Sequence, residues 1–426
     1  MNMYAYSGFS QDFQDIEDFQ QYRVCGFDIV SLPLSLYYNG DGGIGKDTLL
    51  GILDKCQQAG LKCMFLDHEI YNMIECAVDV EHPYHEQYKQ YLEMSKEDLI
   101  VKLRESMEDY INHPAFYGLI IDDEPAYKYF DQLSKVQKAL QAIKPDIYIG
   151  CALNPYYPEG GGLNAEIFTG VYSNNKPTLE QYKQYLDAYM QKTGSERLIY
   201  DFYPFREAER YYNTHFVNLQ VAAEVAEKYN ADLEVVVQSI KGEGWRRPTQ
   251  AELYFQNNAA LAFGVKNIAY FTYWSRTKFD SIMDANGNKL LYDEVQNVNR
   301  YTQKMAAVML YFDYETAYVP WWSGGCPDYL ESVTSKNPSN LSSVQVTQPT
   351  IVTQMKNKAD ESRKGYMVMN AMVDSDETDT VTLTFTIAYS KVTYYEDGIE
   401  KTAELQNGTV SFELGCGEAV FVIPHN

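Results

Sequence analysis

No apolar run in these 426 residues approaches the roughly 18 residues that a membrane-crossing helix needs, so no such helix is expected. Positive charge is scarce: 35 Lys and Arg stand against 59 Asp and Glu, for a formal net charge of −24. A surface of that sign repels nucleic acid and anionic membranes and favours neutral or cationic small molecules. Disulfide patterning is missing. The seven cysteines, Cys25, Cys56, Cys63, Cys76, Cys151, Cys326 and Cys416, are scattered, form no C-x-x-C, and are odd in number. That suits a reducing, cytoplasmic setting or simple use in the core. Met1 to Ser10 has neither the basic nor the apolar region of a leader; export through a signal outside this sequence is the alternative. The six histidines include no H-x-x-x-H pair, so no catalytic metal is expected; no organic cofactor is implied either.

What is present is apolar and aromatic. Apolar residues make up 45% of the chain and aromatics 14%, with 38 Tyr among them. Tyr joins a flat apolar face to a polar tip, which serves stacking on amphipathic rings as well as packing. Eight β-forming runs recur: Met3–Phe9, Cys25–Leu32, Leu61–Leu66, Phe116–Ile121, Ile147–Ala152, Leu198–Tyr203, Leu233–Ile240 and Asn267–Trp274. Most are continuously apolar, as parallel strands covered on both faces are. Helices fit between them. One is capped by Asp47 and stopped by Gly60, and one starts at Ser95. Capping boxes stand at Thr178/Gln181 and Thr249/Glu252, and further helices span about Glu207 to Tyr229 and Asp293 to Tyr311. This α/β alternation predicts a (β/α)8 TIM barrel over residues 1–313, with an open doubly wound sheet as runner-up.

Beyond Asp313 the pattern changes to alternation. Gly365–Met372, Thr380–Ile387, Lys391–Tyr395, Thr409–Leu414 and Ala419–Ile423 read as strands. Asp397-Gly398 and Asn407-Gly408 read as hairpin turns, and Ser332–Ser343 reads as an exposed loop. Residues 314–426 are therefore expected to form a small all-β antiparallel sandwich, which could stabilise the barrel or support a homo-oligomer.

Active sites of such barrels lie at the C-terminal ends of the strands. There this chain gathers Asp67-His68-Glu69, Asp122-Asp123-Glu124-Pro125, Asn154, Asp201 with Tyr203, Gln238 followed by Glu243, and Tyr273-Trp274. Cleavage of a glycosidic bond needs one carboxylic acid to protonate the leaving oxygen, a second group to support attack at the sugar carbon, and flat rings to stack on the pyranose. Paired carboxylates at a sheet rim also repel one another, which raises one pKa toward that of a general acid.

The stretches "HPAFYGLIIDDEP", "YDFYPF", "RRPTQAELYFQNNAALAFGVKNIAYFTYW" and "FELGCGEAVFVI" resemble clan-A (β/α)8 glycoside hydrolases, and within them a β-galactosidase-like bacterial group of unassigned substrate. The resemblance implies that Glu124, closing strand four, is the acid/base. In that clan the residue before it is usually Asn, here Asp123, and the nucleophilic Glu ends strand seven, where this chain has Gln238. An amide cannot be that nucleophile. Asp201 and Glu243 are the remaining candidates, with Asp201 preferred. Asp123, His68, Asn154, Tyr203 and Gln238 are expected to hold substrate hydroxyls, and Tyr273 and Trp274 to supply the aromatic wall.

Each residue has a plainer role to set against this one. Glu124 could pair with Arg246 or Arg247, Asp201 could accept backbone N–H groups, and His68 could be a satisfied rim histidine. Trp245, Trp321 and Trp322 could cover core or interface. The expectation is a glycoside hydrolase acting on a neutral carbohydrate. A non-catalytic carbohydrate-binding barrel is the alternative that Gln238 keeps open, and a metal-dependent amide- or ester-cleaving barrel is a third.

Overall fold

The computed structural model describes residues 1–6, 8, 15–32, 37–38, 43–159, 163–208, 211, 213–274, 279–284, 286–373, 376–386 and 389–425. Eight strands close into a barrel in chain order: β1 (Met3–Ala5), β2 (Ile29–Ser31), β3 (Lys62–Leu66), β4 (Phe116–Asp123), β5 (Tyr148–Leu153), β6 (Arg197–Asp201), β7 (Asp232–Gln238) and β8 (Asn267–Phe271). All six residues of β5 and the last six of β7 are buried, which accounts for their largely apolar sequence; Glu234 and Gln238 are the buried polar exceptions in β7. Closure excludes the doubly wound runner-up. The run Gly40–Gly45 has the G-x-G-x-x-G spacing of a dinucleotide loop, but it precedes a helix of this closed barrel, which has no switch-point crevice to receive such a ligand. Its residues 40–42 lie outside the described residues.

The helices begin where their caps dictate. The Ser95 side chain accepts the Asp98 N–H at 3.1 Å ahead of Lys96–Met107, and Thr178/Gln181 and Thr249/Glu252 form complete capping boxes ahead of Leu179–Thr193 and Gln250–Ala262. Asp47 is not a cap: the helix Lys46–Gln58 starts from Gly45, and Asp47 lies in its first turn, where its charge suits the helix dipole. Helices Ile16–Val24 and Phe130–Ile143 were not read individually from the sequence. The helix expected from about Glu207 begins at His215; residues 209, 210 and 212, like residues 7 and 9 of the first expected strand and 387 of a later one, lie outside the described residues.

The C-terminal part forms two antiparallel sheets from β9 (Phe312–Tyr318), β10 (Leu341–Gln345), β11 (Thr350–Asn357), β12 (Lys364–Asn370), β13 (Asp379–Phe385), β14 (Lys391–Glu396), β15 (Ile399–Glu404), β16 (Thr409–Leu414) and β17 (Ala419–His425). One sheet runs β15-β14-β17-β12-β11-β9 and the other β10-β13-β16. Val352, Tyr366, Val368, Leu383, Phe412 and Val422 contribute to one buried cluster drawn from both sheets, the core of a sandwich. The end of the expected loop Ser332–Ser343 is a strand instead: β10 pairs with β13. Asp397 and Gly398 turn the β14–β15 hairpin with φ of 52° and 65°, the two positive values a type I′ turn requires.

By density of contacts the chain falls into two compact units. The first comprises Asn2–Asp201 and Ala269–Leu290; the second comprises Met1, Phe202–Ile268 and Leu291–Asn426. Within the second unit, the "FELGCGEAVFVI" stretch docks on the helix Gln250–Ala262. Asn258 donates to the Gly417 carbonyl at 2.9 Å, and a Cβ at Gly417 would stand 2.9 Å from the Phe255 Cβ.

Much of the tyrosine excess is core. Tyr22, Tyr110 and Tyr185 are fully buried, their hydroxyls donating to the Ile29 carbonyl, Asp67 and the Pro125 carbonyl at 2.8, 2.7 and 2.6 Å. Glycine matters most at Gly118 of β4, where an added Cβ would lie 1.9 Å from the Tyr148 carbonyl oxygen of β5. Gly118→Ala is therefore expected to lower stability by about 1–3 kcal/mol or more through overpacking, seen as a reduced denaturant midpoint with an unchanged m-value.

Candidate active site

Glu124, Asp201, Asp123, His68, Asn154, Tyr273 and Trp274 belong to the first unit; Glu243, Tyr203 and Gln238 belong to the second. Glu124 follows the last residue of β4 with φ of 54°, a left-handed conformation that non-glycine residues rarely adopt and that costs on the order of 1–3 kcal/mol. It is clamped from behind. The Glu124 N–H donates to the Ala152 carbonyl at 2.7 Å, and the Asn154 Nδ2 donates to the Glu124 carbonyl at 2.6 Å. The Tyr185 hydroxyl donates to the next carbonyl, that of Pro125, at 2.6 Å. The register between β4 and β5 also slips between Ile120 and Asp122, re-aiming the strand end as bulges do.

The three consecutive carboxyls meet different surroundings. Asp122 is wholly buried, and its Oδ2 has no hydrogen-bond partner among the described residues. Burial first, then the negative charge of Glu75, pushes its pKa well up against the opposing N–H of Asp123. Asp123 accepts the Tyr6 hydroxyl at 2.8 Å; burial raises its pKa and that hydrogen bond lowers it. Glu124 is open to solvent, yet protein atoms surround it closely enough that desolvation is the largest influence on its acidity. Water reaches the side chain while neighbouring protein atoms partly desolvate it. Desolvation and then the charge of Asp123 push its pKa from 4.5 up to about 7, while a hydrogen bond with the Asp201 carboxyl opposes the rise. Asp201 ends β6 and is buried. The geometry thus brings together Glu124, Asp201, Asp123 and Asn154, with Asn154 engaged through its amide on backbone.

Other expected residues sit differently. His68 is partly buried, stacked on Tyr37 at 4.5 Å and within 3.3 Å of the Asn72 amide through Nδ1. Its neighbours are spoken for: Asp67 caps the helix His68–Asn72 and accepts the Tyr110 hydroxyl, and Glu69 accepts the Tyr88 hydroxyl at 2.6 Å. No group of three or more possible metal ligands occurs among the described residues. Tyr273 does not form an open wall. It is buried edge-on against Tyr22 and Phe27 at 4.9 and 5.9 Å. Trp274 is 6% exposed, too covered to offer its face as a platform. Two groups that shape the carboxyl cluster were not picked out in the sequence. Tyr6 could have been suspected from its place just past β1, whereas Glu75 lies in the short helix Glu75–Val78 with no motif to mark it.

In the second unit, Tyr203 stands edge-on to Trp245 at 5.9 Å. Glu243 is exposed at the tip of a tight hairpin, with φ of 51°, between mutual Gly242–Trp245 backbone bonds of 2.8 and 3.0 Å. Arg246 is engaged by the buried Glu252 carboxylate.

Gln238 is a fastener and not a hydroxyl ligand, which corrects the expectation. It is fully buried; its Oε1 accepts the Phe205 N–H at 2.8 Å, and its Nε2 donates to the carbonyls of Phe205, Arg246 and Ile240 at 3.0, 2.9 and 3.3 Å. Gln256 satisfies its backbone on both sides. A carboxylate there would set an anionic oxygen against three carbonyl oxygens. Gln238→Glu is accordingly expected to cost about 1–3 kcal/mol or more, with a larger loss at pH 8 than at pH 4, where the introduced acid can donate; paired denaturation curves at the two pH values check this.

No family model matches the sequence, and no curated protein matches it. Solved structures share its fold. An Anoxybacillus α-amylase is 11% identical, superposes with a TM-score of 0.52, and the match covers 96% of this chain and 90% of that one. A glycoside hydrolase family 5 protein from Bacteroides vulgatus is 8% identical, with a TM-score of 0.53 and coverage of 100% and 88%. A family 27 β-L-arabinopyranosidase from Geobacillus stearothermophilus is 9% identical, with a TM-score of 0.51 and coverage of 100% and 94%. The chain thus has a barrel-and-sandwich fold that glycoside hydrolases also have.

Proposed function

We propose that the protein is a glycoside hydrolase acting on a neutral glycoside or oligosaccharide, with Glu124 as general acid/base and Asp201 as the second catalytic carboxyl. The observation that carries this is the strained, clamped Glu124, its pKa pushed up to about 7 beside the hydrogen-bonded Asp201 carboxyl. A carboxyl protonated near neutrality and reachable by water is the donor that a departing glycosidic oxygen needs. The glycoside hydrolases that share the fold support the class, and the net charge of −24 supports a neutral substrate.

Carboxyls close enough to share a hydrogen bond leave no room for an interposed water. Inverting enzymes separate theirs by about 6.5–9.5 Å and retaining enzymes by about 5–5.5 Å. A hydrogen-bonded pair is nearer the retaining separation than the inverting one, and we take double displacement as the route. Asp201 attacks the anomeric carbon as Glu124 protonates the leaving oxygen; Glu124 then takes a proton from water, which releases the sugar from Asp201. The neighbouring Asp123 raises the Glu124 pKa and so favours its protonated form, and Asn154 holds the backbone that aims it. Glu243, at its exposed turn, is given no part.

Glu124→Gln and Asp201→Asn are each expected to lower kcat/KM on an aryl-glycoside panel by about 10²–10⁴-fold, and the released sugar should keep the substrate's anomeric configuration by NMR. Undiminished hydrolysis by Glu124→Gln would remove the assignment. Activity needing protonated Glu124 should fall about tenfold per pH unit above about 7. The raised pKa also has a stability consequence. The protonated form is favoured by the fold, so that contribution is complete below the ordinary value of 4.5 and is lost as pH rises through about 7. Glu124→Gln should therefore raise Tm relative to the wild type at pH 8, with the gap narrowing at pH 4.

A further inference from the structure

Trp321 does not cover core. It is 82% exposed, and the loop that carries it is built rather than slack. The neighbouring Trp322 indole donates to the Thr347 carbonyl at 2.7 Å, and its ring lies so close over Gly324 that a Cβ there would stand 2.1 Å from it. The loop's entry is pinned by the Val319 N–H donating to the Ser335 hydroxyl at 2.9 Å. Beside Trp321 opens a hollow of about 470 Å³, walled by Tyr318, Trp321, Trp322 and Pro327 and edged by Glu331 and Ser335. That volume lies in the range of about 300–1,000 Å³ typical of small-ligand sites.

The chemistry of the lining selects the occupant. Indole and phenol faces bind the C–H face of a sugar ring, and oxygen groups at the margin take its hydroxyls. Glu331 is the one charged side chain among the lining residues, so an anionic ligand has no countercharge there, and the net charge of −24 repels it further. We propose that this hollow is an accessory binding site for a neutral carbohydrate chain, with Trp321 as its stacking platform. Its lining residues all fall within 318–350, and none belongs to the carboxyl cluster of β4 and β6. The choice of a carbohydrate rests on the proposed function, so the test separates binding from hydrolysis.

Native gels cast with galactomannan, xylan or soluble starch provide it, run with the full chain, Glu124→Gln and Trp321→Ala. At least one polymer is expected to retard the wild type and Glu124→Gln alike. Trp321→Ala should bind that polymer at least fivefold more weakly, while keeping the wild-type Tm and the wild-type rate on a small aryl glycoside. In the wild type, oligosaccharides of that polymer should slow alkylation of the exposed Cys326 thiol, which also lines the hollow, by threefold or more. Equal retardation of Trp321→Ala and wild type overturns the proposal, as does failure of every polymer to retard the wild type. A wild-type dimer that Trp321→Ala converts to monomer in sedimentation also overturns it, assigning the hollow to a second copy of the chain. Trp321-dependent retardation in a protein that cleaves no glycoside upholds the site and removes the hydrolase reading instead.

Discussion

The end of β4 holds a carboxylate where backbone and solvation both resist it. Glu124 adopts a left-handed backbone conformation that only surrounding bonds can enforce, and those bonds come from the strand beside it: the Ala152 carbonyl, the Asn154 amide and, one residue on, the Tyr185 hydroxyl. Strain of this kind persists where the neighbouring structure over-determines it, and it is concentrated where side chains are aimed at ligands. The same rigidity keeps Glu124 beside Asp123 and Asp201, so desolvation and like charge cannot be relieved by moving away. The raised pKa follows from the clamp.

A second constraint is the use of side-chain amides as backbone fasteners. The Gln256 side chain grips the Gln238 backbone on both sides, and the Gln238 side chain ties down both Phe205 and Arg246. A glutamine at the end of β7 looks in sequence like a nucleophile lost from a glycosidase. In the fold it is an amide whose donor and acceptor are both committed, and only an amide carries both. The catalytic reading therefore does not wait on position 238. It turns on the carboxyls of β4 and β6.

Architecture was legible because its signals are local. Buried parallel strands read as apolar runs, and Ser95, Thr178 and Thr249 announce helix starts with side chains that satisfy N–H groups three residues on. The Asp-Gly and Asn-Gly turns follow from the backbone freedom of those residues. Strand limits were less legible: β1 and β2 have three residues each, shorter than the apolar runs around them, because pairing and not hydrophobicity ends a strand. β10 hid in a polar stretch because it holds only intermediate and exposed positions, leaving little hydrophobic periodicity to find.

For the site, the sequence alone determined that acidic groups stand at the ends of the fourth and sixth strands and that Glu124 is the acid to test, since a β-run ending in carboxylates and proline delivers them to a rim. Only the tertiary structure decided what surrounds each of the three consecutive acids, because that depends on a register slip, on Tyr6 and Glu75 arriving from distant segments, and on the approach of neighbouring strand ends. It also moved Tyr273 and Trp274 from the expected aromatic wall into covered positions and brought Trp321 to the surface. Whether an aromatic ring faces water or core is set by what packs against it, and no stretch of chain records that by itself.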